Sequence, residues 1–273
     1  MAEVFQGIWV VAYRELLRFF AERARMFSSI FMPLIFLVIF GAGFSRIVGS
    51  LAAGIDFIQF VYPGIIALTV LQSSVFSGLS VVWDREFGFL KEILVAPLGR
   101  SGIVLGKAAG AAVIALMQGL ILLILAPILG IALTLLNVLS LIPVIILISI
   151  SLSGLGVLIA SRMRSQQGFQ IIMQIVIFPL MFLSGVFFPV DNVPVWMQII
   201  SKINPVTYGV DAIRQIVLGE SLASMPGMMG QNASPLGVTV FGHTMTVVQD
   251  MLVVVGIGII FLALAIFSFS RQE

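Results

Sequence analysis

Apolar residues run through this chain in long blocks that short polar stretches interrupt. One block, "MFSSIFMPLIFLVIFGAGFS", lies between Arg25 and Arg46, and a second fills most of the stretch between Asp56 and Asp84. From Ala108 to Ser161 no residue is charged. That stretch is too long for one membrane crossing of about 20 residues and too short for three with loops. Pro127, Gly130 and Asn137 are the breakers at which it turns. The predicted spans are therefore 27–45, 57–82, 103–127, 139–160, 169–188 and 251–270, in one transmembrane domain covering 1–273. The predicted fold is an all-α integral membrane protein, because barrel strands would alternate polar and apolar positions.

Composition sharpens this picture. The chain is 60% hydrophobic and 10% charged, where a soluble domain carries roughly 25% charged residues. It has no cysteine, which excludes a disulfide framework and a Cys-based metal site. The first residues are not a signal peptide: Arg14, Glu15, Arg18, Glu22, Arg23 and Arg25 all precede the first apolar block.

Lys and Arg placement sets orientation. One set of segments holds Arg14, Arg18, Arg23, Arg25, Arg85, Lys91, Arg100, Lys107, Arg162, Arg164 and Arg271; the other holds only Arg46, Lys202 and Arg214. This places both termini on the cytoplasmic side and segment 189–249 outside.

Two cytoplasmic stretches read as amphipathic helices. In "YRELLRFFAERAR", Arg14, Glu15, Arg18, Glu22 and Arg25 share one side and Leu16, Leu17, Phe19, Phe20 and Ala24 the other. That pattern predicts a helix lying in the membrane interface. In "WDREFGFLKEILVAPLGR", Asp84, Arg85, Lys91 and Glu92 oppose Phe87, Phe89, Leu90, Ile93 and Leu94, and Pro97 ends the helix. The connection between spans two and three is therefore a docking helix rather than a minimal turn.

No Asp, Glu, Lys, Arg or His falls in the middle of a span, which argues against a proton-driven carrier. The polar groups there are Gln and Ser, the usual glue between membrane helices. No catalytic or metal-ligating constellation stands out, and His243, the only histidine, reads as a loop residue. "GIVLGKA", residues 102–108, imitates a phosphate loop but has the wrong glycine spacing and Ala108 after the lysine. Late in the chain, Asn204 and Pro205 form a helix start, with Gly219 as its stop, and Asp211 and Arg214 lie three apart on one helix face. A preceding short helix opens near Asp191 or Asn192 with Pro194 at its head.

Three features together resemble the permease subunit of an ABC-2 type ATP-binding-cassette exporter. The first is "WDREFGFLKEILVAPLGRSGIVLGK", which is similar to the family's coupling segment. The second is "FLSGVFFPVDNVPVWMQIISKINPVTYGVDAIR", with Ser184, Gly185, Pro189, Pro205, Tyr208 and Arg214 at the signature positions. The third is the layout of six spans with a long last outer segment. The resemblance implies a dimer of permeases on two copies of a separate ATPase subunit, with ATP and Mg on that partner, no cofactor in this chain and no nucleic-acid partner. It implies no enzyme activity in the chain itself, and a place in the plasma membrane of a prokaryote, surrounded by lipid. Coupling to the ATPase would fall on Asp84, Arg85, Glu86, Gly88 and Lys91, with Phe87 and Leu90 anchoring that helix. A re-entrant hairpin between spans five and six would roof the pathway, with Val186 and Phe187 as its valve and Pro205, Tyr208, Asp211 and Arg214 in its second helix. Gln72, Phe76, Gln174 and Phe178 on spans two and five are pathway candidates. They suit an amphipathic cargo: a drug, a lipid or a lipid-linked molecule, with a lipid-linked glycan or polysaccharide as the alternative. An ATP-independent channel or facilitator and a non-transporting scaffold are the rival classes.

The charge asymmetry is checked by single-cysteine labelling in intact cells. An impermeant thiol reagent is expected to modify Gln231→Cys and to miss Gly99→Cys.

Overall fold

The computed structural model describes residues 2–49, 57–88, 99–188, 190, 193–223, 238–240 and 243–271. Helix α1 (Ala2–Ala21) is followed after one residue by α2 (Arg23–Gly49). Next come α3 (Phe57–Phe76), α4 (Leu79–Glu86), α5 (Arg100–Leu125), a 3-10 turn (Ala126–Leu129) and α6 (Leu135–Ala160). Helices α7 (Gln166–Phe182), α8 (Val195–Ile203) and α9 (Pro205–Ala223) lead to a two-strand hairpin and then to α10 (Val247–Ser270).

Among the described residues, four helical segments are long and apolar enough to cross a membrane: Ile58–Glu86, Ser101–Leu129, Leu135–Ala160 and Val247–Ser270. Two shorter apolar helices, Met26–Ile39 and Gln166–Phe182, fall where spans one and five were predicted. The helix ends follow local chemistry. Gly130 at φ +76° closes the turn after α5, and the Thr134 side chain caps α6 by accepting from Asn137 N. Ser165 caps α7 through Gly168 N. Thr246 and Gln249 form a reciprocal capping box on α10. That cap starts α10 before Met251, so Asp250, predicted to lie outside span six, sits within its first turn.

Helix α3 and its extension α4 form the centre. The most apolar window of that segment is 78% buried, against 28% for α10 on the periphery. Lipid tails give helices no hydrophobic reason to associate, so close backbone approach and interhelical hydrogen bonds must do so. A Cβ on Gly78 would strike the Gly156 carbonyl, and a Cβ on Gly156 would strike the Val75 carbonyl. A turn at Ser77 and Gly78 hands the chain from α3 to α4. Ser74 Oγ donates to Ser149 Oγ at 2.7 Å, and Ser151 Oγ donates to the Val254 carbonyl at 3.0 Å. Tyr62 donates to the Leu122 carbonyl at 2.7 Å and ties α3 to α5.

Helix α1 corrects one expectation. Gly102, Gly106 and Gly110 of α5 meet Val4, then Ile8 and Val11, then Ala12 and Glu15, in the same order. The two helices therefore run side by side, whereas a helix crossing α5 would touch it at one place. The predicted charged face is turned inward, with Glu15 8% exposed, while Phe5, Trp9, Tyr13, Leu17 and Phe20 face out. "GIVLGKA" is accordingly helix, and two of these seating glycines belong to it.

Helix α9 also departs from the pattern. It runs through Gly219, which has open space around it and does not end the helix. Its first half, Pro205–Arg214, is buried throughout, and Gly209 rests on Ile148 of α6. Two strands that the apolar pattern did not show, β1 (Thr239–Val240) and β2 (His243–Thr244), pair antiparallel with Thr239 opposite Thr244. His243 is exposed on β2.

Gly156→Ala is expected to lower stability by about 1–3 kcal/mol, because the methyl has no room beside the α3 backbone. Gly256→Ala, where a Cβ meets nothing, is expected to be neutral or stabilising. Thermal unfolding of the two purified variants checks this.

Candidate coupling and pathway sites

At the end of the bundle that holds Lys107, α1 brings Arg14, Glu15 and Arg18 against α4 and α5. Lys107 Nζ donates to Ser80 Oγ at 2.6 Å, to Glu15 Oε1 at 3.0 Å and to Asp84 Oδ2 at 3.5 Å. An ammonium has three protons, and here it has three acceptors. Arg14 Nη2 donates to Asp84 Oδ2 at 2.6 Å, and Arg18 Nη2 lies 3.7 Å from Asp84 Oδ1 while its guanidinium stacks over Trp83. Lys107 and Asp84 are 1% and 2% exposed, so neither charge could remain there alone. Burial by itself raises the Glu15 carboxyl, but Lys107, Ser80 and Arg14 outweigh it and hold the group below its ordinary 4.5. Its contribution is therefore complete above the ordinary carboxylate range and is lost as pH falls through the lowered value.

This network changes the reading of the coupling segment. The helix of the second span continues through Glu86, so Asp84 lies on its inner face instead of opening an exposed helix. Arg85 donates to the carbonyls of Met163 at 2.6 Å and Ser161 at 3.0 Å, at the C-terminal end of α6. Glu86 is exposed, and its carboxylate accepts from Gln166 N at 3.3 Å, at the start of α7. Phe87 is exposed, and Gly88 at φ +82° turns the chain after the helix. Leu90 and Lys91 lie outside the described residues, as does the rest of the predicted helix up to Pro97.

A half-open cleft of about 410 Å³ lies next to the network, among α1, α2, α3, α5 and α7. Gln72 and Phe76 line it, together with Gln118 and Gln170. A smaller cavity of about 140 Å³ shares Gln72, Thr69 and Met32 and reaches Phe36 and Met181. Gln174 and Phe178 are exposed and line neither cavity, so the structure does not bring the four pathway candidates together. Seventeen-residue α7 buries only Phe169, Met173 and Ile177, and Gln174 does not share that stripe. Phe178 instead begins a row of rings, with Phe178 to Phe182 at 4.5 Å, Phe182 to Phe187 at 5.3 Å and Phe187 to Phe36 at 5.7 Å.

At the opposite end, Val186 is fully buried against Gly64, and Phe187 belongs to the ring row. Gly185 stands at φ +77°, where a side chain would be strained, and its carbonyl accepts from Arg214 Nη2 at 2.8 Å. The Arg214 guanidinium also lies 4.3 Å from the Phe60 ring centroid. Asn204 Oδ1 caps α9 by accepting from Val206 N at 3.0 Å, and Pro205 opens that helix. Tyr208 donates to the Lys202 carbonyl at 2.6 Å and holds α9 to α8. Pro189, Asp191 and Asn192 lie outside the described residues.

Asp211 and Arg214 are both buried, at 1% and 4% exposure. Each of them bonds other groups as well. Asp211 Oδ2 accepts from Val238 N at 3.0 Å and from Gln215 Nε2 at 3.1 Å. Gln215 Nε2 also donates to Asp250 Oδ2 at 3.1 Å. The pair is thus part of a larger polar cluster that joins Gly185, α9, residue 238 and α10.

Sequence reasoning missed Glu15, Lys107 and Ser80 as one unit, and Gln215 and Asp250 as members of the second cluster. Lys107 meets a carboxylate 92 positions away, and no local spacing rule reaches that far. The three-glycine spacing on α5 was the available signal that another backbone lies against it.

The fold and these sites define a mostly helical, multi-pass membrane protein with charged groups buried at each end. Residues 6–218 match the ABC-2 type transporter family, and the chain belongs to that family as a permease subunit. Relatives bear this out. It is 32% identical to a "putative transport permease ycf38" of Cyanophora paradoxa, over 77% of this chain and 73% of that one. It is 30% identical to "Nodulation protein J" of Rhizobium leguminosarum bv. trifolii, over 75% of this chain and 78% of that one. It is 34% identical to the "probable multidrug ABC transporter permease YbhR" of Escherichia coli K12, over 61% of this chain and 46% of that one. Membership implies pairing with a separate ABC ATPase subunit.

Lys107→Met removes the buried cation that bonds both buried carboxylates and is expected to cost about 3–5 kcal/mol. Arg14→Ala, at a side chain 37% exposed, is expected to cost about 1 kcal/mol or less. Denaturant or thermal unfolding in nanodiscs compares the two.

Proposed function

We propose that this chain is the transmembrane subunit of an exporter that moves an amphipathic substrate out of the cytoplasm, driven by ATP hydrolysis on two copies of a separate ATPase chain. Two permease copies form the pathway, with both termini cytoplasmic and six spans each. The complex lies in the plasma membrane of a prokaryotic cell, and its ATP and Mg belong to the partner. The observation that carries the reading is the paired network of Lys107, Asp84, Glu15 and Arg14. It fastens the exposed Glu86–Gly88 corner to α1, α5 and the wall of the 410 Å³ cleft. A push on that corner from an ATPase would move the cleft wall with it. Glu86 and Phe87 then make the outward contact, and Asp84 and Arg85 transmit it.

At the other end, α8 and α9 form a re-entrant roof held by the Gly185–Arg214 bond and the Asp211–Gln215–Asp250 cluster, with Val186 and Phe187 beneath it. A multidrug permease among the relatives supports a drug or lipid as cargo. Export of a lipid-linked glycan is the second reading, and the row of hydrogen-bonding side chains on the cleft favours it. A self-sufficient channel would need no ATPase. The test is co-purification with an ABC ATPase and ATP hydrolysis that requires both chains. Glu86→Arg and Phe87→Asp are expected to insert and fold normally yet uncouple substrate-stimulated hydrolysis, since a like-charge or desolvated-charge contact costs several kcal/mol at an interface. Unchanged stimulation in both variants would remove the corner from the coupling path.

A further inference from the structure

The cleft beside α1 carries two polar atoms whose hydrogen-bonding capacity is unused among the described residues. Gln118 is 2% exposed and lines the cleft. Its Nε2 donates to Ser29 Oγ at 2.8 Å, and Ser29 Oγ donates its only proton to the Met26 carbonyl at 2.9 Å. With that proton on Met26, Ser29 accepts from Gln118, so the amide nitrogen sits on Ser29 and its oxygen elsewhere. That oxygen, Gln118 Oε1, is buried and has no hydrogen-bond partner among the described residues. On the α1 side of the same cleft, Arg18 Nη1 is a buried donor in the same condition. A buried polar atom left unpaired is costly, and native structures rarely keep one without a reason.

The two atoms ask for opposite things. Gln118 Oε1 needs a donor, and Arg18 Nη1 needs an acceptor. A hydroxyl supplies either, and a group bearing several hydroxyls supplies both at once. A sulfate or phosphate oxygen without a proton serves only the arginine. A quaternary ammonium serves neither, and it would also enter beside three cations, Arg14, Arg18 and Lys107, that face two carboxylates, Glu15 and Asp84. Gln72, Gln170 and Ser73 add further uncharged partners on the walls. Phe19, Phe76, Met32 and Ile114 supply the apolar surface that completes a small-molecule site. At about 410 Å³ the cleft lies in the range of about 300–1,000 Å³ typical of such sites.

We propose that this cleft is a headgroup site for a hydroxyl-rich amphiphile, in which Gln118 Oε1 accepts from one headgroup hydroxyl and Arg18 Nη1 donates to another. The headgroup is of the sugar or polyol class, and the apolar tail leaves toward the lipid. The assignment of this ligand as cargo rests on the exporter reading, while its binding does not.

The experiment uses the permease–ATPase complex in nanodiscs without nucleotide. Ile114→Cys gives a single thiol on the cleft wall of a chain that has no cysteine. Its alkylation rate is measured with octyl β-glucoside, octyl sulfate and octyltrimethylammonium, which share one tail. The glucoside is expected to slow alkylation about tenfold when present at ten times its Kd, the sulfate less, and the ammonium not at all. Adding Gln118→Leu is expected to abolish protection by the glucoside and spare any weak protection by the sulfate. Equal protection by all three probes would make the cleft a tail groove and overturn the headgroup assignment, and no protection by the glucoside would remove the site. These wild-type comparisons stand even if Gln118→Leu does not fold. Protection in preparations that hydrolyse no ATP would leave the site and remove the exporter reading; coupled hydrolysis without protection would do the reverse.

Discussion

A charge carried into a dry protein interior must bring its counter-charge with it, and the architecture of this permease follows from that constraint at both ends. Lys107 lies on a membrane-crossing helix with 1% of its surface exposed. It is tolerable there only because Glu15 and Asp84 arrive from two other helices. Glu15 can arrive only because α5 presents glycines to α1, so that the two backbones come close enough for short side chains to meet. Asp84 can arrive only because the second span continues past Gly78 as α4. Removing any of these steps strands a charge.

The same logic gives the exposed corner at Glu86–Gly88 its mechanical meaning. A surface loop tethered by apolar contacts would yield when pushed. This corner is fastened to α1 and α5 through Asp84, to the end of α6 through Arg85, and to the start of α7 through Glu86. Four helices are therefore held at one place. The polar cluster at the far end repeats the pattern, with Gln215 bridging Asp211 and Asp250 and Arg214 engaging Gly185 and Phe60.

Much of the helix layout was legible in the amino-acid pattern, because apolar blocks of membrane length and breakers such as Gly130 act locally. The helix start at Asn204–Pro205 was legible for the same reason. The direction in which α1 faces was not. An amphipathic pattern shows two faces but not which one meets protein, and the charged face turned inward because Lys107 and Asp84 were waiting there. The pathway candidates divided for a related reason: Gln72 and Gln174 look alike in sequence, but only the first lines the cleft that α1, α2 and α5 also border. Gly219 read as a stop, yet it keeps a negative φ and α9 continues through it to Ala223.

Asp84 holds α1 to the rest of the bundle, and everything at this end depends on it. Hydrogen exchange of the α1 amides, compared between wild type and Asp84→Asn in the assembled complex, measures this directly. Faster exchange across residues 8–20 is expected in the variant, with α6 and α10 unchanged. Protection of α1 equal to that of wild type would contradict it, because α1 would then be held by its glycine seat alone and the buried charges would couple nothing.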